Sequence, residues 1–276
     1  MKETCIDTLY VSDLDGTLMR NDVTLSEYTV RTINEMIDKG IAFTYATARS
    51  IESARPIAGG LKLKLPVITR NGAVLADNMT GKHLEKAVFT EDEVSRLKEL
   101  LPELSMYGFV SCFIGEEMHR LYADCVHTPA LQGYLDYYEK NPTVRPVAGI
   151  PELFCGEPGY VTLIGPKEEI LPIYNRVKDY TGWESLFQKD TYREEYWLEI
   201  CPQNCTKAKT INKLKSRYGF KRLVVFGDGL NDIPMFRIAD ESYAVANALD
   251  EVKQIATGVI GSNEDDAVAD FIRQRG

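Results

Sequence analysis

Thr8-Leu9-Tyr10-Val11-Ser12-Asp13-Leu14-Asp15-Gly16-Thr17-Leu18 is the stretch on which the reading of the whole chain turns. Thr8 to Ser12 are mostly β-formers and predict a short strand. The strand stops at Asp13 and Asp15, two acids two positions apart. Side chains along extended backbone repeat every second residue, so both carboxylates can face one ligand. In an open parallel sheet, ligands bind in the crevice at the carboxyl ends of the strands. Gly16 permits the tight path by which the chain leaves the sheet there. Aspartate and glycine are also common in ordinary turns, so this stretch alone does not separate a site from a polar bend.

Outward from it, strands alternate with helices. Ser26 can cap a helix running to Lys39, with Val30, Ile33 and Ile37 on one face and Gly40 as its stop. Ile41–Ala46 reads as a buried strand, a helix can follow from Ser50, and Leu65–Thr69 gives a third strand. Such alternation implies right-handed crossovers and a parallel sheet. The rhythm changes after Gly81. Thr90 and Glu93 form a capping box for an amphipathic helix bearing Val94, Leu97 and Leu101. Extended segments follow at Phe109–Phe113, Met118–Tyr122, Tyr160–Ile164 and Tyr196–Ile200, with a helix from Pro166 to Tyr180. This middle region holds both tryptophans and ten of the 15 tyrosines, and reads as a separate α+β domain. The βα alternation returns after Cys201. Thr206 caps a helix bearing Ile211, Leu214 and Tyr218, and strands are expected at Leu223–Phe226, Ser242–Ala246 and Gly258–Ile260 before a last helix, Asp266–Arg273. The expected layout is a discontinuous α/β core, 1-82 and 202-276, interrupted by a domain over 83-201.

A second acid cluster, Gly227-Asp228-Gly229-Leu230-Asn231-Asp232, follows the apolar strand that ends at Phe226. Acids gathered at a strand terminus suit a hard divalent cation with oxygen ligands. Taken singly, it could be an Asx-rich helix cap; two such clusters at strand ends of one sheet are far harder to explain as turns. Ala46-Thr47-Ala48-Arg49 adds a hydroxyl and a guanidinium at the same edge. Thr206-Lys207-Ala208-Lys209 adds an ammonium at a helix N-terminus, where the dipole already favours anions. Threonines often end strands and lysines usually sit on solvated faces, so each of these is weak alone. A carboxylate pair, a metal carboxylate, a hydroxyl and a cation together fit phosphoryl transfer, where catalysis is mainly positioning and charge neutralisation.

The order of these motifs resembles the haloacid dehalogenase superfamily: D-x-D-G-T, a strand ending in threonine, an insertion, a lysine, then G-D-G-x-N-D. The placement of the insertion, with Arg70-Asn71-Gly72-Ala73 after the third strand, resembles the Cof-type subfamily with a type IIB α+β cap on a Rossmann-like parallel-sheet core. The resemblance implies a magnesium-dependent phosphatase acting on small phosphate monoesters, sugar phosphates foremost, through an aspartyl-phosphate. Asp13 would be the nucleophile and Asp15 the general acid and base. Magnesium would be held by the Asp13 carboxylate, the Asp15 main-chain carbonyl and Asp228, with Asp232 and Asn231 organising the metal shell and the lysine. Thr47 and Lys207 would hold the phosphoryl oxygens, with Arg49 and Asn71 at the phosphate edge. This chain reads Ala48 where relatives commonly have glycine, and its Thr206-Lys207-Ala208-Lys209 replaces a common S-K-G, so Lys209 stands as an alternative to Lys207.

Composition sets the outer limits. The chain has 276 residues, more than one domain usually holds. At 44% hydrophobic and 26% charged it can bury a real core, which argues against disorder. Its 41 acids against 32 bases give a net charge of −9, which argues against nucleic-acid binding. An anionic substrate must then be met by a locally positive site or a metal. The longest stretch without a charge, Leu104–Gly115, is too short to cross a bilayer. The first ten residues carry acids and no apolar run, so no signal peptide and a cytoplasmic location are expected. Six scattered cysteines, Cys5 among them, with only a C-x3-C pair at Cys201 and Cys205, suggest reduced thiols. Three rival readings remain: a phosphomutase of the same superfamily, a non-enzymatic phospho-acceptor switch, and a binding protein.

Overall fold

The computed structural model describes residues 7–115, 117–190, 193–203 and 205–275; the readings of the first residues and of Cys5 fall outside the described residues. Two compact units are present, Met1–Glu85 with Thr206–Gly276, and Lys86–Cys205. The first unit begins with β1 (Thr8–Ser12), α1 (Glu27–Asp38), β2 (Ala42–Tyr45), α2 (Ile51–Ala58), β3 (Val67–Thr69), β4 (Val74–Ala76) and β5 (His83–Lys86). The inserted unit carries α3 (Glu91–Leu100), α4 (Leu104–Tyr107), β6 (Gly108–Ile114), β7 (Glu117–Ala123), α5 (Pro129–Tyr137) and β8 (Val144–Val147). It continues with α6 (Ile150–Leu153), β9 (Glu157–Gly165), α7 (Lys167–Val177), β10 (Trp183–Lys189) and β11 (Tyr196–Pro202). The first unit then resumes with α8 (Lys207–Tyr218), β12 (Arg222–Gly227), α9 (Ile233–Ile238), β13 (Glu241–Ala244), α10 (Asp250–Ile255), β14 (Gly258–Val259) and α11 (Ala267–Arg275).

The main sheet of the first unit is parallel, in the order β14-β13-β12-β1-β2. Leu9, Val11, Phe43, Val225 and Phe226 are fully buried in it, as strands covered on both faces require. Ser12 pairs with both Phe226 and Tyr45. The central strands therefore finish level, and whatever follows each of them emerges at one edge. Sequence placed Leu65–Thr69 in this sheet as a third parallel strand. The strand is shorter, and it meets β2 only through a parallel bridge between Ala46 and Ile68. Its ladder is antiparallel, to β4, with Val67 opposite Ala76. The cause lies in Arg70, Asn71 and Gly72, all with positive φ (52°, 52° and 107°), which turn the chain straight back into a hairpin.

The inserted unit is a six-stranded sheet, β10-β11-β9-β6-β7-β8, antiparallel except between β7 and β8. Alternate residues of its inner strands, Val110, Val161, Leu163, Leu198 and Ile200, pack against Leu97 of α3 and Ile170, Ile173 and Val177 of α7. The opposite face stacks Phe109 on Tyr134 of α5, with ring centroids 4.9 Å apart. Tyr134 is thus a packing residue, whereas Tyr137 is exposed. The unit closes later than the 83-201 boundary read from sequence, because β11 runs on to Pro202 within the same sheet. No described helix is long and apolar enough to cross a membrane.

Candidate active site

Asp13 leaves β1 at that shared edge, its N–H donating to the Phe226 carbonyl at 2.9 Å. The carboxylate is buried and accepts from Lys207 Nζ at 2.6 Å. Lys207 opens α8, whose cap is Thr206, the Oγ1 accepting the Lys209 N–H at 3.2 Å. Because it is the first helical residue, Lys207 points back into the sheet edge, and its ammonium also donates to Asp232 Oδ1 at 2.8 Å. Lys209, two residues along, is exposed. Asp232 spends its other oxygen on the loop that carries it, accepting the N–H groups of Asp228 and Gly229 at 2.9 and 3.0 Å. A side chain at Gly227 would meet that carboxylate at 2.6 Å. Carboxylate oxygens of Asp13, Asp228 and Asp232 lie within 4.8 Å of one another.

Two glycines set the close approaches. Gly16 adopts φ 71°, and a Cβ there would fall 2.4 Å from Asp228 Oδ2, so the loop after β1 can lie against Asp228 only without a side chain. Thr17, next along, donates to Asp228 Oδ1 at 2.7 Å. Gly72 adopts φ 107° with the Thr206 carbonyl 2.5 Å from its would-be Cβ, and Thr210 Oγ1 donates to its carbonyl at 2.8 Å. The turn holding Asn71 is thereby pressed onto the start of α8. Asn71 in turn accepts from Asn231 Nδ2 at 3.3 Å. Thr47, fully buried, accepts the Arg49 N–H on its hydroxyl at 3.1 Å, and its carbonyl accepts the Asn71 N–H.

Asp15 stands apart from the three clustered carboxylates. Its side chain is gripped by Arg49, with Nη2 donating to Oδ1 at 2.6 Å and Nε to Oδ2 at 2.8 Å. Sequence gave these two residues separate duties; the structure makes them a pair. Thr17 and Thr210 were not singled out from sequence. Thr17 sits inside the strongest motif and could have been read from it, whereas nothing in the sequence around Thr210 marks it.

Burial pushes the Asp13 carboxyl well above its usual range; Lys207 pulls it down, and Asp232, Asp228 and Asp15 push it up again. Burial and then Asp232 raise Asp228 to about 7, against the Thr17 hydrogen bond and Lys207. Burial disfavours the Lys207 charge, but Asp13 and Asp232 outweigh it and hold the ammonium protonated. Such a site lacks positive charge for its carboxylates, and its oxygen-only donor set fits a hard divalent cation of the magnesium type. Paired acids, a buried cation and a donor-rich loop at parallel strand ends can neutralise a phosphoryl group and attack it.

The comparisons with known proteins agree with this chemistry. The family model for haloacid dehalogenase-like hydrolases matches residues 10–272. The 5-amino-6-(5-phospho-D-ribitylamino)uracil phosphatase YitU of Bacillus subtilis is 28% identical over 279 residues, spanning 96% of each chain. The HMP-PP phosphatase of Serratia proteamaculans is 26% identical, over 95% of this chain and 92% of its own. Among solved structures, the superfamily phosphatase BT1666 from Bacteroides thetaiotaomicron superposes with a TM-score of 0.78 at 20% identity, covering 100% of this chain and 97% of that one. The subclass IIB sugar phosphatase BT4131 gives 0.73 at 19% identity, covering 97% and 98%. Those two likenesses speak to the fold, cap included, and the family match speaks to descent. The chain therefore belongs to the haloacid dehalogenase-like hydrolases, in the Cof-type branch whose α/β core carries an inserted type IIB cap.

Proposed function

We propose that this chain is a magnesium-dependent phosphatase of small organic phosphate monoesters, with sugar phosphates foremost. The observation that carries the reading is the buried Asp13–Lys207–Asp232 chain at 2.6 and 2.8 Å, with Asp228 beside it and Asp15 two residues from Asp13. Asp13 attacks phosphorus, the P–O bond to the leaving group breaks, and the phosphoryl group is left on the Asp13 carboxylate. Asp15 gives its proton to the departing oxygen and then takes one from the water that attacks phosphorus, which releases inorganic phosphate and restores Asp13. Lys207 and the Thr47 hydroxyl hold phosphoryl oxygens, with Arg49, Asn71 and Asn231 at the rim of that pocket. Arg49 also fixes the Asp15 carboxylate through its paired hydrogen bonds. The Asp13 and Asp228 carboxylates and the Asp15 carbonyl would hold magnesium, with Asp232 bracing the shell from behind. When bound, the metal supplies the positive charge that offsets the phosphoryl oxygens and the crowded acids. A small phosphorylated metabolite as substrate is supported by the relatives named above, one a phosphatase of a phosphoribityl compound and one a sugar phosphatase.

The test is phosphate release from a panel of sugar phosphates, nucleotides and para-nitrophenyl phosphate, with magnesium and with EDTA. Release is expected only with magnesium, and Asp13→Asn is expected to abolish it while the protein stays folded. Turnover by Asp13→Asn at the wild-type rate would remove Asp13 as nucleophile. An isomeric sugar phosphate in place of inorganic phosphate would identify a mutase instead.

A further inference from the structure

We propose that Asn247 and Asn263 are positioning residues that hold the loop after β1 in its working conformation, an assignment resting on the phosphatase reading of this site. The loop needs such a hold. Gly16 sits at φ 71°, and glycine populates both signs of φ with similar ease, so the peptide after it has no intrinsic preference for the orientation it shows. That orientation matters because Thr17 follows directly and donates to Asp228. A flipped peptide would carry the Thr17 hydroxyl away from the acid cluster.

Asn247 supplies the preference. Its Nδ2 donates to the Gly16 carbonyl at 2.7 Å, across 231 positions of sequence. Its Oδ1 accepts the Asn263 N–H at 3.1 Å and the Ser262 hydroxyl at 3.4 Å. One end of the amide faces a carbonyl and the other an N–H, so only one assignment of its oxygen and nitrogen satisfies both. Asn263, itself buried, donates Nδ2 to the Met19 carbonyl at 2.9 Å and to Asn21 Oδ1 at 3.1 Å. The two amides thus grip the loop at both ends, at Gly16 and at Met19. Their neighbours extend the grip: Glu264 accepts the Asn21 N–H at 2.6 Å, and Asp266 accepts from Arg20, Ser26 and Thr29. Among the described residues, Asn247 and Asn263 hydrogen-bond to the loop at the Gly16 and Met19 carbonyls and at Asn21, not to Asp13, Asp228 or Lys207, so the pair acts on the site through backbone.

Asn247→Asp is the discriminating variant. It is isosteric, keeps the acceptor toward Asn263, and sets an acceptor where the Gly16 carbonyl needs a donor. Asn247 is exposed, so the change buries no charge and the fold is retained. The measurements are amide hydrogen exchange over residues 14–19 by mass spectrometry, alongside kcat and KM for para-nitrophenyl phosphate with magnesium. Exchange over 14–19 is expected to speed up about tenfold, as the loss of one hydrogen bond of ordinary strength implies, with kcat lowered and KM held. Asn247→Ala should do the same; if Asn247 merely tethers residues 262–263, Ala disturbs the protein and Asp does not. Wild-type exchange over 14–19 in Asn247→Asp overturns the proposal whatever the activity. A wild-type protein without phosphatase activity would overturn the functional reading instead, and the exchange would still decide the hold.

Discussion

Lys207 shows how much one residue's address matters. Its ammonium is surrounded by protein and answers two carboxylates, so removing it strands both acids in a buried site. Lys207→Ala is expected to cost about 3–5 kcal/mol of stability and to slow turnover about 100- to 1,000-fold. Lys209→Ala, at an exposed position, should stay within about 0.5 kcal/mol of wild type and keep near-normal turnover. Denaturant melts and phosphate-release rates of the two variants check this, and a collapse in Lys209→Ala alone would exchange their roles. Sequence offered both lysines within one helical turn and favoured Lys207 by its register with the motif, with Lys209 as the alternative. The Thr206 cap makes the choice, because it fixes which residue starts α8 and so which lysine points into the strand ends. The Asp15–Arg49 pair was illegible for a related reason: both residues were visible, but nothing local says that a guanidinium 34 positions later will take that carboxylate.

Among the elements, the turn over 262–266 does more than join β14 to α11. Asp266 takes φ 57°, which aspartate tolerates better than most residues, and accepts from Arg20 at 2.7 Å, Ser26 at 2.6 Å and Thr29 at 2.9 Å. Burial pushes this carboxyl up, but the Ser26, Thr29 and Arg20 hydrogen bonds outweigh it and hold it below its usual range. A carboxyl depressed in the folded state stabilises above its unfolded value, near 3.9, and loses that contribution as pH falls through its folded value. Asp266→Asn keeps a residue suited to positive φ and should cost about 2 kcal/mol at pH 7. Melts of the two proteins should converge as pH falls through the folded-state value of Asp266; a gap that persists below it would place the loss in geometry, not charge. The strands that escaped the sequence reading include both edges of the inserted unit's sheet, β8 and β10. β8 is half-exposed and contains Pro146, and β10 carries polar residues on an outer position of the sheet, so neither shows the near-continuous run of apolar and β-forming residues found in β6 and β9.

For the whole molecule, the defining feature is a chain of net charge −9 that gathers further acid at one sheet edge. A cation binding there stabilises the fold by mass action. Saturation to about 100 times its dissociation constant corresponds to about 2.7 kcal/mol. Thermal melts should therefore rise by several degrees on adding magnesium and fall back with EDTA, and Asp228→Asn should abolish most of the shift. A shift of full size in Asp228→Asn would move the cation away from this edge. The readout needs no substrate, so it stands apart from the activity assay.

The sequence by itself determined the α/β core, the insertion that splits it and the two acid motifs, because strand periodicity, capping residues and the glycines at tight exits are local properties. It marked Asp13, Thr47, Lys207 and Asp228 for the same reason: each lies at the end of an element whose boundary its neighbours declare. Tertiary structure alone decided which of these touch. Level strand ends at Ser12, Phe226 and Tyr45 bring residues more than 200 positions apart within hydrogen-bond reach. It also decided that Arg49 belongs to Asp15, that the third strand turns back on itself at Arg70-Asn71-Gly72, and that Asn247 reaches the Gly16 carbonyl. Those contacts depend on register and burial, which no stretch of sequence specifies until the sheet has assembled.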